Sequence, residues 1–211
     1  MKKIVDKNKL LNNLDNFNEI ILELGCGDNK RIKKAIGIDI IDYVSVDIVG
    51  EVLDILSYFP NNSVDEIHSF HFFEHVEKLE NLLIQCDRVL KYNGKLFTVV
   101  PHFSNPYYYS DYTHKLFFGL YSMSYFASDN IHQNKVPNYK NKLNFRLLKV
   151  DLIFKSPRPF YIRYLFKRLQ GLIFNSCSYM REFYEENFTY IFPCYEIKYI
   201  LEKKEVKINN D

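Results

Sequence analysis

The sequence has no tryptophan, only four cysteines and no long apolar run, and each shortage removes a class of protein. Cys26, Cys86, Cys177 and Cys194 are scattered without a C-x-x-C pair. Neither a zinc site nor a disulfide framework is specified, and reduced thiols are expected. No stretch approaches the roughly 18 apolar residues that a bilayer-spanning helix needs. Residues 1–13 carry lysines but no apolar core of signal-peptide length, so the chain reads as cytoplasmic with no transmembrane segment. A strong charge excess is missing too. The 28 Lys and Arg against 26 Asp and Glu leave a net charge of +2, short of the basic balance that phosphate-dominated binding requires, and no nucleic-acid partner is expected. What remains is 211 residues that are 47% hydrophobic, with 17 Tyr and 18 Phe, enough for one ordinary core.

The apolar pattern alternates between two periods. Residues 19–24 form a short apolar run ending at Gly25-Cys26-Gly27, which reads as a buried parallel strand entering a tight turn. Residues 35–39, 44–49 and 64–70 read as further strands, the last following the turn Pro60-Asn61-Asn62-Ser63. From 76 to 90 the apolar side chains Leu79, Leu82, Leu83, Cys86, Val89 and Leu90 recur every three or four residues, so an amphipathic helix is predicted, stopped by Tyr92-Asn93-Gly94. Residues 95–100 are then a strand ended by Pro101. Residues 145–154 and 195–202 are two late strands around a helical stretch over 159–190. In that stretch Ile162, Phe166, Leu169 and Ile173 share one face, and Arg163, Lys167 and Gln170 another. The expected fold is α/β: a Rossmann-like, seven-stranded, mostly parallel sheet with a short first helix and a helical insertion before the last strand. One domain is expected, with 1–143 as a cofactor-binding core and 144–211 as late strands and a helical lid. Ligands of such sheets sit at the carboxyl ends of the strands.

Chemistry-bearing residues gather at those ends. Glu23-Leu24-Gly25-Cys26-Gly27-Asp28 resembles the first motif of class I S-adenosylmethionine (SAM)-dependent methyltransferases, in which glycines let the backbone approach the methionine end of the cofactor and turn N–H groups donate to its carboxylate. Asp39, with Ile40 beside it, ends the second strand, where an acid can accept from both ribose hydroxyls. Asp54-Ile55, ahead of Phe59-Pro60-Asn61-Asn62-Ser63-Val64-Asp65, resembles the family's D-(x)-LPF-(x)-DNS-(x)-D stretch. The resemblance implies that Asp54 meets the adenine amino group and that Ile55 packs on the ring, with Asp47 a competitor for the acid. Phe70-His71-Phe72-Phe73-Glu74-His75-Val76 is similar to the family's LEH motif, which puts His71, Glu74 and His75 beside the cofactor. Arg88-Val89-Leu90-Lys91-Tyr92-Asn93-Gly94-Lys95-Leu96 is similar to RVLKPGGxL. The resemblance covers about residues 19–126 and implies SAM as cofactor and S-adenosylhomocysteine as product. The third glycine of the usual loop is missing, and about eight residues separate Gly27 from the next strand. A dinucleotide, whose pyrophosphate needs a full helix N-terminus, is therefore disfavoured.

The segment from Pro101 to Phe118 resembles the PH-(x)-S-(x)-P-…-DPTH segment of bacterial methyltransferases associated with surface glycans. His102 and His114 can each take a proton from an acceptor oxygen and Asp111 can orient one of them, which suffices for general-base O-methylation. The structural alternative has Asp111 capping a helix over 113–118 and the histidines only packing. Tyr107, Tyr108 and Tyr109 are candidates to stack on a sugar. Arg158 and Arg163 can pair with a phosphate of a nucleotide- or lipid-linked acceptor, or else belong to a solvated face or one resting on a membrane. His71-Phe72-Phe73-Glu74-His75 also fits H-x-x-E-H, but no third ligand is assignable and no metal is assigned. The reading is an O-methyltransferase for a polar, glycan-related acceptor: a sugar hydroxyl, or a phosphate or phosphoramidate of a capsule precursor. Its alternatives are N- or C-methylation of a small metabolite and a SAM-binding subunit without catalysis. Oligomeric state is not legible in the sequence.

Overall fold

The computed structural model describes residues 4–129, 131–137, 139, 143–156 and 159–205. Its framework is an eight-stranded sheet. The strands are β1 (Val5–Asp6), β2 (Ile21–Leu24), β3 (Ile36–Asp39), β4 (Ile48–Val49), β5 (Val64–Phe70), β6 (Leu90–Pro101), β7 (Phe145–Ile153) and β8 (Glu196–Lys203), and the helices are α1 (Val52–Leu56), α2 (Leu79–Val89), α3 (Tyr161–Phe174) and α4 (Ser178–Asn187). The sheet order is β1-β4-β3-β2-β5-β6-β8-β7. The central pairs β4–β3, β3–β2, β2–β5 and β5–β6 are parallel, while the pairs β6–β8, β8–β7 and β1–β4 are antiparallel. The seven expected strands are present and mostly parallel. The eighth, β1, is a two-residue ribbon at the edge that no sequence pattern announced.

Burial explains the order. All four residues of β2 are buried, which suits a strand flanked on both sides and covered on both faces. The amphipathic α2 buries Leu82, Leu83, Cys86 and Val89 against one face. Its Arg88 donates to the carbonyls of Phe59 and Leu56 and to Asn61 Oδ1, so the arginine of the RVLK motif ties the α1–β5 connection to α2. Phe118, Phe145, Tyr184 and Tyr199 are fully buried in the same core cluster as these α2 side chains.

Three local expectations differ. There is no helix between β2 and β3; residues 25–35 are turns. α2 ends at Val89 and Leu90 already belongs to β6, so Tyr92-Asn93-Gly94 lies within the strand, with Asn93 at φ +63°. Residues 113–118 are not helical either, because Asp111 Oδ1 accepts from the N–H and hydroxyl of Thr113 and closes a local turn.

Candidate active site

Five carboxyl-end segments, following β2, β3, β4, β5 and β6, carry almost all the residues singled out in the sequence. The turn after β2 comes first. Gly25 and Gly27 have φ of +65° and +58°, left-handed values that side-chain-bearing residues adopt at a cost. A Cβ on Gly25 would lie 2.6 Å from Phe72 Cβ, whereas one on Gly27 meets nothing within 4 Å. Phe72 therefore packs on the first glycine, and the second faces an open cradle. Gly25→Ala is expected to cost on the order of 2–4 kcal/mol, from left-handed strain plus a clash that Phe72 must move to relieve; a melting curve checks this.

The missing helix is replaced by side chains. Buried Glu23 accepts from the N–H groups of Arg31 and Ile32 at 2.9 and 2.7 Å, and Asp47 holds Lys30 Nζ and the Gly37 N–H, each at 2.7 Å. Glu23 is thus a brace of the cofactor loop rather than a contact, and Asp47 leaves the competition for adenine. The Cys26 side chain packs inward against Gly37, and burial, followed by the nearby Asp39 and Glu23 carboxylates, pushes its thiol up to about 12; only its backbone is available to a ligand. The turn's N–H groups are already used. Those of Gly25 and Cys26 donate to the Ile38 carbonyl, and that of Gly27 donates to Asp39 Oδ2 at 2.9 Å. Asp39 also accepts from the Ile41 N–H through Oδ1, which fixes its carboxylate at the rim of the cradle beside the exposed Ile40. Asp54 is half-buried on α1. Ile55 is fully buried in the core and is not exposed to any cleft, so the adenine-packing role fails for it.

After β5 the chain kinks at His71, φ +56°, into the short 3-10 turn Phe73–His75. The two histidines of H-x-x-E-H part here. His71 lies between two buried carboxylates, with Nε2 3.1 Å from Glu196 and Nδ1 3.4 Å from Glu74. The Glu196 hydrogen bond first, then Glu74, raise its pKa to about 9 against the opposing effect of burial. Burial disfavours the Glu196 anion, but the bonds from His71 and Lys155 outweigh it and hold that carboxyl below its ordinary value. His71 thus has a folded pKa above its unfolded one. Its contribution is complete below about pH 6.5 and disappears as pH rises through about 9. Raising the pH from 6.5 to 9.5 is expected to cost about 1–3 kcal/mol, the partial exposure of His71 reducing the figure, and His71→Gln to flatten that dependence.

His75 turns the other way. Its Nδ1 lies 2.9 Å from Thr113 Oγ1, and Thr113 Oγ1 donates its single proton to Asp111 Oδ1 at 2.6 Å. The hydroxyl therefore accepts from His75 Nδ1–H, which leaves the lone pair on Nε2. The hydroxyl and N–H of Thr113 hold the Asp111 carboxyl below its usual value. His114 packs against His75 with ring centroids 4.9 Å apart and the planes tilted by 57°; its Nδ1 donates to the Tyr108 carbonyl at 2.9 Å and its Nε2 lies 3.5 Å from Asp111 Oδ2. Asp111, predicted to orient one histidine, orients His114 directly and His75 through Thr113. His75 lines a cleft of about 620 Å³ with Glu51, Leu53, Phe72, Val76 and Lys115.

Other predicted residues are placed elsewhere. His102 is completely buried, with Nδ1 on Ser104 Oγ at 2.8 Å and Nε2 on Glu185 at 3.0 Å. Both nitrogens are engaged and no acceptor reaches them, so His102 anchors α4 to β6 instead of acting as a base. Tyr108 is buried, its hydroxyl donating to the Leu116 carbonyl, which removes it from acceptor contact, while Tyr107 and Tyr109 are exposed. Arg163 stacks on Phe160 and donates to Ser156, in a groove formed with Tyr107, Lys155 and Phe192. Arg158 lies outside the described residues. Thr113, Glu185 and Glu196 are functional neighbours that sequence reasoning missed.

Residues 22–98 match a family model described as a methyltransferase domain. No curated protein matches the chain. Among solved structures, a SAM-dependent methyltransferase from Archaeoglobus fulgidus superposes with a TM-score of 0.60 at 18% identity, over 92% of this chain and 91% of that one. Phosphoethanolamine N-methyltransferase 2 of Haemonchus contortus, in complex with SAM, gives 0.50 at 13% identity, over 95% of this chain and 53% of that one. Geranyl diphosphate methyltransferase, also in complex with SAM, gives 0.51 at 14%, over 92% and 83%. The residues present fit that cofactor: the space over Gly27 is the cradle a Cβ would fill, and the Asp39 carboxylate stands at its rim.

Proposed function

We propose that the chain, a SAM-dependent methyltransferase, transfers the methyl group to a hydroxyl oxygen of a polar, glycan-related acceptor, with His75 as general base. The observation that carries this reading is the Asp111–Thr113–His75 relay, which leaves the lone pair on Nε2 of a histidine that lines a cleft between the segments that follow β4 and β5. When bound, SAM supplies an electrophilic methyl group on a sulfonium. Asp39, the open face of Gly27 and Asp54 hold it. His75 Nε2 would accept the proton of the acceptor hydroxyl, whose oxygen would take the methyl group as its bond to the cofactor sulfur breaks. The charge arriving on the ring is stabilised by ionised Asp111 across Thr113. The exposed faces of Tyr107 and Tyr109 suit a sugar ring, and Phe72 and Lys115 wall the cleft against water. The test is a screen of hydroxyl-bearing sugars and sugar phosphates for S-adenosylhomocysteine release, run beside amine and carbon acceptors. Turnover with amines alone would overturn the oxygen assignment.

A second reading has its own observation. Glu74, His75 and His114 offer ligand atoms within 4.8 Å of one another, and the Glu74 carboxylate is fully buried with the His71 ring 3.4 Å away. Two imidazoles and a carboxylate can hold a divalent transition metal that binds the acceptor directly. Dialysis against a chelator separates the two readings: transfer is expected to survive it if His75 is the base, and to be lost and restored by added metal if the cluster is a metal centre.

A further inference from the structure

α3 is built inside out. Its polar and basic stripe, which a surface helix normally shows to solvent, is turned inward: Gln170 is buried beside Phe174, and Lys167 donates to the Pro193 carbonyl. Its apolar stripe points away from the protein. Ile162, Leu165, Phe166, Leu169, Leu172 and Ile173 are all exposed, Ile162 by 89% and Leu165 and Leu172 by 68% each. Exposing such a continuous apolar face to water opposes burial of those side chains, so the face is made to be covered.

The charge around it says by what. Residues 152–181 contain no Asp or Glu, and although Lys155 pairs with Glu196 and Lys167 turns inward, Arg163 and Arg168 are exposed on α3. Tyr161 and Tyr164, also exposed, are amphipathic rings of the kind that sit at a lipid headgroup level. A second copy meeting this face through a two-fold axis brings the same acid-free segment against itself, like charge to like. An anionic lipid surface satisfies the apolar stripe and the exposed Arg163 and Arg168 together.

We infer that α3 is a membrane-docking helix, which lies in the plane of an anionic bilayer with Leu165, Leu169 and Leu172 inserted among the acyl chains and Arg168 at the headgroups. It neither spans the bilayer nor needs to: no helix among the described residues is long and apolar enough to cross a membrane. Between α3 and the segment before β8 lies the groove of Arg163, Tyr107 and Tyr195, which docking therefore holds against the lipid.

The test is flotation of the purified full chain with phosphatidylcholine vesicles and with vesicles containing about one-third phosphatidylglycerol, for the wild type, Leu165→Glu/Leu172→Glu and Arg168→Glu. The wild type is expected to float with the anionic vesicles only. Its apparent affinity is expected to fall at least tenfold in high salt or with Arg168→Glu, and further in the double variant. Calorimetric titration with S-adenosylhomocysteine verifies that the variants remain folded, since none of these residues touches the cofactor cradle; a failure of lipid binding with retained cofactor binding leaves the methyltransferase assignment untouched. Absence of vesicle binding by the wild type overturns the inference, as does equal binding to neutral vesicles. So does a wild-type dimer in solution that the double variant dissociates.

Discussion

His75→Gln is expected to lower kcat by about 10²–10⁴-fold, the usual contribution of a positioned general base, while leaving the affinity for SAM within about twofold. The split follows from geometry. Through Nδ1 the ring is held by Thr113 and behind it by Asp111, and His75 lines the cleft proposed for the acceptor. Glutamine keeps a polar side chain of similar reach but cannot take a proton. Thr113→Val leaves the ring in place and removes the hydroxyl that fixes its tautomer, so kcat is expected to drop by a smaller factor, about tenfold, again without loss of cofactor affinity. Steady-state turnover beside calorimetric titration gives both numbers. If His75→Gln retains kcat, the acceptor oxygen is already anionic, as in a phosphate or phosphoramidate, and needs no base.

Asp39→Ala is expected to weaken SAM binding by about 10²-fold, equivalent to roughly 2.7 kcal/mol. The carboxylate has two duties at the rim of the cradle. It accepts from the N–H groups of Gly27 and Ile41, which sets the second glycine at its left-handed φ, and an acid at this strand end is expected to accept from the ribose hydroxyls. Asp39→Asn keeps the size of the side chain and one acceptor oxygen, so a loss of about tenfold is expected, and the order Asp, Asn, Ala by titration separates charge from shape. Glu23→Ala acts on the same loop from beneath. It leaves the Arg31 and Ile32 N–H groups without their carboxylate, so it is expected to destabilise the fold and weaken SAM together.

The cofactor half was legible because its signals are local. A buried strand followed by Gly25-Cys26-Gly27, an acid at the end of the next strand and an amphipathic repeat along α2 each depend on neighbours a few residues apart, and all recur in the structure. The acceptor half depends on distant partners. Glu185 and Glu196 come from the C-terminal third, and it is they that engage His102 and His71; no spacing in the sequence links those pairs, so a buried brace and a poised base looked alike. Nothing in the sequence showed that His102 would be fully buried with both ring nitrogens engaged. Thr113 escaped notice because a threonine between an aspartate and a histidine signals nothing until the chain folds His75 onto it from 38 residues away. The inside-out orientation of α3 was likewise hidden, since periodicity gives two faces without saying which one meets the protein.

The most direct test of the account is calorimetric titration of the folded protein with SAM and S-adenosylhomocysteine. Saturable one-to-one binding of both, weakened about 10²-fold by Asp39→Ala and unchanged by His75→Gln, is the predicted result. No binding of either ligand by wild-type protein whose melting curve shows it to be folded would contradict it.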